Sequence, residues 1–184
     1  MFKLIRNSSG ITAILTLIAF TTWNTYAEEM PKMLYMELKD GVVGIKMRPD
    51  LAPMHVARIT ELVQEGFYDG IVFHRVIEGF MAQTGDPTGT GSGGSGKNLK
   101  SEFSPEPHLR GTLSMARAAD PDSADSQFFI VFSDAPHLNN QYTVWGQVAD
   151  GMEHVDKIKR GDSAQNGQVA EPDSIIRMWI DEDE

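Results

Sequence analysis

Between residues 33 and 180 the apolar side chains of this sequence come in short runs, and turn-forming residues cut off every run. Met33–Leu38 and the runs 42–47, 111–115, 128–132, 144–148 and 175–180 are each five or six residues long. Runs of that length suit strands, because a helix that buries a face needs about ten residues or more. Asp40-Gly41, between the first two runs, is a two-residue hairpin signal. Only two stretches carry helical spacing. In the first, Asp50 reads as the N-cap and Pro53 sits in the opening turn, where its missing N–H costs nothing. Ala52, Val56, Ile59, Leu62 and Val63 form its apolar stripe, and Gly66 stops it. His55, Arg58 and Glu61 fall off that stripe, so His55 is expected to be solvated. In the second, Asp150 reads as the cap of a short helix carrying Met152, Val155 and Ile158. Lys157, Lys159, Arg160 and Gly161 close it. Many short strands with one early and one late helix predict a mainly β fold: a closed antiparallel barrel with helices over its open ends.

The remaining bounds come from the ends of the chain and its composition. The sequence has 184 residues, enough for one domain with a full core. Its first 27 differ in character. Lys3 and Arg6 precede an apolar run over 11–20, and Thr25-Tyr26-Ala27 offers small residues around a cut. That pattern predicts a secretory signal peptide over 1–27, cleaved after Ala27, and a mature domain over 28–184 that is periplasmic or secreted. The run is too short for the roughly 20 residues of a membrane span. An uncleaved anchor is the alternative reading. No cysteine is present, which excludes disulfides, thiol catalysis, thiolate metal sites and lipid attachment through cysteine. A net charge of −10 argues against a nucleic-acid partner, which needs a positive footprint.

The stretch 73–83 carries the chemistry. It sets Arg75 among Phe73, Phe80 and Met81, with Gln83 eight positions on. As strand, turn and strand it places a cation beside an apolar pocket, which suits an apolar ligand with a carbonyl or amide. The six glycines of 85–96 do not make a phosphate loop, because Lys97 is followed by Asn98 and no apolar helix follows. That run is expected to be a surface loop bordering the site. His74 alternates to the strand face opposite Arg75, so a buried, satisfied histidine is expected there. His108 and His154 have no ligand partners at metal spacing, so no metal site is expected. Ser114 and Ser126 lack the context of a nucleophile elbow.

Phe73-His74-Arg75, Gly79-Phe80-Met81, Gln83, Leu113-Ser114-Met115-Ala116 and Ser126-Gln127-Phe128-Phe129-Ile130 resemble the signature segments of the cyclophilin family of peptidyl-prolyl cis–trans isomerases. The segments agree in order and spacing across nearly the whole mature chain. The resemblance implies an eight-stranded barrel capped by two helices, no cofactor, and a peptide groove on one outer face. The expected partners are proline-containing peptides and unfolded or partly folded proteins, and the expected state is a monomer. The implied catalytic residues are Arg75 and Gln83. Phe80, Met81, Phe129 and Leu138 would wall a proline pocket, and Gln127 would line the same groove. Ala116 and Arg117 would offer backbone N–H and C=O groups to the residue before proline. The chain departs from eukaryotic members at three places: Arg117 replaces Asn, His137 replaces Trp and Tyr142 replaces His. Tyr142 can still close the pocket with an aromatic face, whereas His137 lacks the indole that helps hold cyclosporin, so weak inhibition is expected. Thr84 replaces a common glycine. The rival from another class is a proline-peptide-binding module or chaperone with little turnover.

Isomerisation itself asks little of a protein. Rotation about an X–Pro bond faces a barrier of roughly 20 kcal/mol, because the nitrogen lone pair is delocalised into the carbonyl. A donor aimed at the prolyl nitrogen localises that pair, while an apolar pocket holds the ring still. Contacts stronger in the twisted state than in either planar state accelerate the step.

Overall fold

The computed structural model describes residues 33–181. The expected signal segment over 1–27 lies outside the described residues. Eight strands form one sheet: β1 (Met33–Leu38), β2 (Gly41–Met47), β3 (Arg75–Ile77), β4 (Met81–Thr84), β5 (Thr112–Met115), β6 (Phe128–Val131), β7 (Val144–Asp150) and β8 (Arg177–Ile180). Helix α1 (Pro53–Gln64) and the single turn α2 (Met152–Val155) pack against it, and short 3-10 turns occupy Pro136–Leu138 and Ser163–Gln165. The spatial order is β3-β4-β6-β5-β7-β2-β1-β8, with the named ladders all antiparallel. No helix among the described residues is long and apolar enough to cross a membrane.

Alternation sets the two faces. In β1, Leu34, Met36 and Leu38 are buried while Met33, Tyr35 and Glu37 are half-exposed. The concave side encloses the main core, where Trp145 and Tyr68 meet Phe128 edge-on and Ile59 and Leu62 of α1 close the space. In β6 and β5 every residue is buried, so a second layer must cover their outer face. It does: Met81, Phe129, Val131, Ala135 and Leu138 form a separate apolar cluster there.

The sheet curls into a half-barrel, and this refines the expected closed barrel. No ladder joins the edge strands β3 and β8 among the described residues. The segments just before them meet instead at an isolated bridge, Val72 to Ser174. There Phe73 N–H donates to Asp173 O (2.9 Å), Ile175 N–H to Ile71 O (2.9 Å) and Gly70 N–H to Ile175 O (2.8 Å).

Local signals were displaced in four places. Leu38 pairs with Gly41, so the hairpin turn is Lys39-Asp40, one residue earlier than expected. Asp50 does not cap α1. Its carboxylate is held by the Arg48 guanidinium at 2.8 to 3.1 Å, and the N-cap position is Ala52. The first-turn amides of Met54 and His55 donate instead to Glu102, 48 and 47 residues away (3.1 and 3.0 Å). His55 is therefore not solvated: it is fully buried, with Nδ1 2.6 Å from the same carboxylate. Asp150 ends β7, and α2 starts from Gly151 (φ +80°), where a side chain would collide with the Val42 carbonyl.

Candidate active site

Cross-strand register builds the site. Arg75 pairs with Gln83, Gln83 with Phe129 and Phe129 with Ser114, so these four side chains stand in one row on the outer face of β3, β4, β6 and β5. Hydrogen bonds tie the row together in one direction. Arg75 Nη1 donates to Gln83 Oε1 (3.1 Å), and Gln83 Nε2 donates to Gln127 Oε1 (2.9 Å). Gln127 Nε2 then donates to the carbonyls of Gly91 and Gly93 (3.0 and 2.8 Å) in the glycine-rich loop. Each amide thus has its orientation dictated by the next.

Arg75 is gripped from its other side by Asn166. Nε donates to the Asn166 carbonyl (3.0 Å) and Nη2 to its Oδ1 (3.1 Å). Asn166 follows the 3-10 turn capped by Asp162 and adopts left-handed φ of +55°. No carboxylate pairs with Arg75 among the described residues, so its charge is held in place but not neutralised. Burial lowers its pKa, yet a guanidinium stays protonated at any physiological pH.

Next to this cation lies a recess of about 290 Å3. Phe80, Met81, Phe129, Leu138, His137 and Tyr142 supply its apolar and aromatic walls, and Arg75, Gln83, Ala116 and Arg117 its polar rim. Of the residues singled out from sequence, only Gln127 lies elsewhere, in an adjoining hollow of about 390 Å3 that shares Gln83, Ala116 and Arg117. Tyr142 stands edge-on to Phe129 (ring centroids 5.8 Å apart), and His137 tilts over Phe80 (5.3 Å).

Two expectations change. The Ala116 N–H is spent on Gln127 O (2.9 Å), because β5–β6 pairing runs one residue past the strand, so this group cannot serve a peptide. The backbone groups of Arg117 make no hydrogen bond among the described residues, and its side chain does something else. Nε and Nη2 donate to the Gln141 carbonyl (3.2 and 3.1 Å), and the guanidinium lies 4.6 Å from the Tyr142 ring centroid. Arg117 thereby clamps the pocket wall by a cation–π contact. His74 is buried as expected, but neither ring nitrogen has a hydrogen-bond partner among the described residues.

Three contributors were not assigned to the site from sequence, where His108 was weighed only as a metal ligand. His108 is buried, 6.4 Å from Phe129 in stacked orientation, and bracketed by Ser114 Oγ (3.0 Å) and Asn139 Oδ1 (3.2 Å). Burial lowers its pKa, which keeps the ring neutral behind the pocket. Asn166 stands 91 residues from Arg75, and no local pattern marks it. Asp86 organises the loop that Gln127 reaches; Asp86-Pro87-Thr88 is a readable turn signal.

The family model for "Cyclophilin type peptidyl-prolyl cis-trans isomerase/CLD" matches residues 33–180. The chain belongs to the cyclophilin-type isomerase family. A probable peptidyl-prolyl cis-trans isomerase of Brucella suis is 48% identical over 191 residues, covering 97% of both chains. Peptidyl-prolyl cis-trans isomerase B of Bacillus subtilis is 47% identical over 138 residues, covering 73% of this chain and 96% of that one. Among solved structures, a Cryptosporidium parvum cyclophilin-type isomerase, crystallised in the presence of the dipeptide Ala-Pro, superposes with a TM-score of 0.75. It is 30% identical and covers 82% of this chain and 99% of its own. The cyclophilin fold is therefore that of a peptidyl-prolyl cis–trans isomerase, as the signature segments implied.

Proposed function

We propose that catalysis in this isomerase rests on the Arg75 guanidinium, presented to the prolyl amide as the X–Pro bond twists. The observation that carries this is the combination at Arg75: a charge fixed by Asn166 and Gln83, left unpaired, beside an apolar recess of about 290 Å3. A proline ring lodged among Phe80, Met81, Phe129 and Leu138 is held still while the preceding carbonyl turns. In the twisted state the nitrogen lone pair is no longer delocalised and accepts a hydrogen bond, which a planar amide nitrogen does poorly. The donor therefore binds the transition state better than either ground state. Low-dielectric walls strengthen the interaction. Gln83 orients Arg75, and Gln127 orients Gln83. The backbone of Arg117 and the carbonyl of Ala116 take the residue before the proline, and Tyr142, steadied by Arg117, closes the pocket with its aromatic face.

Arg75→Ala tests the mechanism. It is expected to lower kcat/KM on a short X–Pro peptide by at least about tenfold, the scale of losing one transition-state donor. The thermal transition should change little, because the residue stands on the outer face. Undiminished turnover, read by exchange NMR, would refute the assignment. If peptide binding persisted in a wild-type protein that scarcely turned over, the binding-module reading would replace it.

We further propose that the protein works outside the cytoplasm. The basic start, the apolar run over 11–20 and Thr25-Tyr26-Ala27 support export with cleavage after Ala27. N-terminal sequencing of the protein recovered from the exported fraction should begin at Glu28; a chain still beginning at Met1 would count against cleavage.

A further inference from the structure

The described residues include seven arginines. Five have a carboxylate oxygen within 4.0 Å: Arg48, Arg58, Arg110, Arg160 and Arg177. The two exceptions, Arg75 and Arg117, both line the proline recess. In a chain of net charge −10 that pattern is selective. Arg75 does not lack a firm hold. Its nitrogens reach Gln83 Oε1 (3.1 Å), the Asn166 carbonyl (3.0 Å) and Asn166 Oδ1 (3.1 Å), and all of these oxygens are uncharged. Carboxylates close by are occupied elsewhere. Glu78 accepts from Arg160 Nε (2.7 Å), and Asp162 accepts from the Ala164 amide (2.8 Å) and Gln165 Nε2 (3.0 Å).

The loop that carries Asn166 is fastened to the outer edge of β3. Val76 N–H donates to the Gly167 carbonyl (2.8 Å), and Gly161 N–H donates to the Val76 carbonyl (2.9 Å). Asn166 therefore meets Arg75 from a fixed platform. It offers both oxygens from a left-handed backbone (φ +55°, ψ +32°), which Asn and Asp adopt more readily than other residues bearing a side chain. Aspartate would thus fit this position with the same oxygens. It would also hold a guanidinium harder, because hydrogen bonds to ionised partners are about twice as strong as neutral ones. A role confined to keeping the side chain still would favour the carboxylate. An opposite charge at that distance, however, would compete with the prolyl nitrogen for the guanidinium's field. We propose that Asn166 is a positioning residue for isomerisation, which holds Arg75 through uncharged oxygens and so leaves its positive charge to the twisting amide. This inference rests on the reading of Arg75 given above.

Asn166→Asp and Asn166→Gly test it together. The first keeps both oxygens and adds a charge, whereas the second keeps the left-handed turn and the carbonyl but loses Oδ1. The measurement is exchange NMR on a short X–Pro peptide, titrated so that binding and the on-enzyme rate separate. In Asn166→Asp, kcat should fall by about fivefold or more with KM unchanged, the mark of an interaction made only in the transition state. Its thermal transition should be no lower than that of the wild type. Asn166→Gly should lose less, about two- to threefold, the lower end of what one neutral hydrogen bond contributes. Added to Arg75→Ala, Asn166→Asp should leave the residual turnover where it is, since its effect runs through that side chain. An asparagine that only braces the loop predicts the reverse order, with the Gly variant the weaker enzyme and the Asp variant equal to the wild type. That order, or wild-type kcat in both variants, would overturn the proposal. So would the same loss from Asn166→Asp with and without Arg75. Arg75→Ala keeps the two readings apart: if it has lost turnover and Asn166→Asp has not, only this inference falls. If turnover survives in Arg75→Ala, the parent mechanism falls instead.

Discussion

A carboxylate surrounded by donors is hard to protonate, and Asp86 is the clearest case in this chain. Its Oδ1 accepts from the Thr88 amide (2.7 Å) and hydroxyl (2.8 Å), and its Oδ2 from the amides of Thr90 (3.0 Å) and Gly91 (2.6 Å). Burial pushes its pKa up, but these bonds outweigh burial and hold it at about 2. The loop so folded presents the Gly91 and Gly93 carbonyls to Gln127, and through Gln127 and Gln83 it reaches Arg75. A folded-state pKa below the ordinary aspartate value of about 3.9 means stability that is complete above that pH and lost as pH falls towards 2. Asp86→Asn should lower Tm at neutral pH and flatten the acid limb. Thermal melts stepped from pH 5 to 2 should therefore converge for the two proteins at the acid end. Curves that stay parallel would show that Asp86 stays protonated or contributes nothing through its charge.

At the scale of elements, short-range patterns were legible and long-range partners were not. Six apolar runs became strands within a residue or two, and the stripe Val56, Ile59, Leu62 and Val63 became the buried face of α1. The Arg75 to Gln83 pairing also follows from sequence, because a strand, a tight turn and a strand over 75–83 fix the register. What failed was capping. Asp50 is the right residue type in the right place, but Arg48, two residues away, takes its carboxylate first. Glu102 then serves the α1 amides from a loop that no local rule connects to the helix. The same loop buries His55, whose off-stripe position had argued for solvent. Half of the site was read in the same way. The apolar walls and Arg75 carry signature spacing, while Asn166 and His108 arrive from distant loops and act through geometry alone. Arg117 shows a third kind of miss: its hold on Tyr142 depends on where a flexible side chain comes to rest.

At the scale of the whole molecule, the seam between the sheet's edges decides how firmly Arg75 is held, because β3 is itself an edge strand. Asp173 sits at that seam in three roles. Its carbonyl accepts the Phe73 amide (2.9 Å), its Oδ1 the Lys39 ammonium (2.7 Å) and its Oδ2 the Lys159 amide (2.8 Å). Burial opposes ionisation, but the Lys39 and Lys159 bonds win and lower its pKa. A ladder spreads the load of closure over many pairs, whereas an isolated bridge concentrates it on a few. Removing the Asp173 side chain should therefore loosen the seam before it loosens the sheet. A hydrogen bond to a charged group contributes about 1.5–3 kcal/mol, which corresponds to roughly tenfold or more in a local opening equilibrium. In Asp173→Ala, hydrogen exchange at the Gly70, Phe73 and Ile175 amides should quicken by about that factor. Amides of the β1–β2 ladder, remote from the seam, should keep their wild-type rates. Uniform acceleration across both sets would mean that the half-barrel opens as one unit, with closure distributed through the whole sheet and not concentrated at the seam beside Arg75.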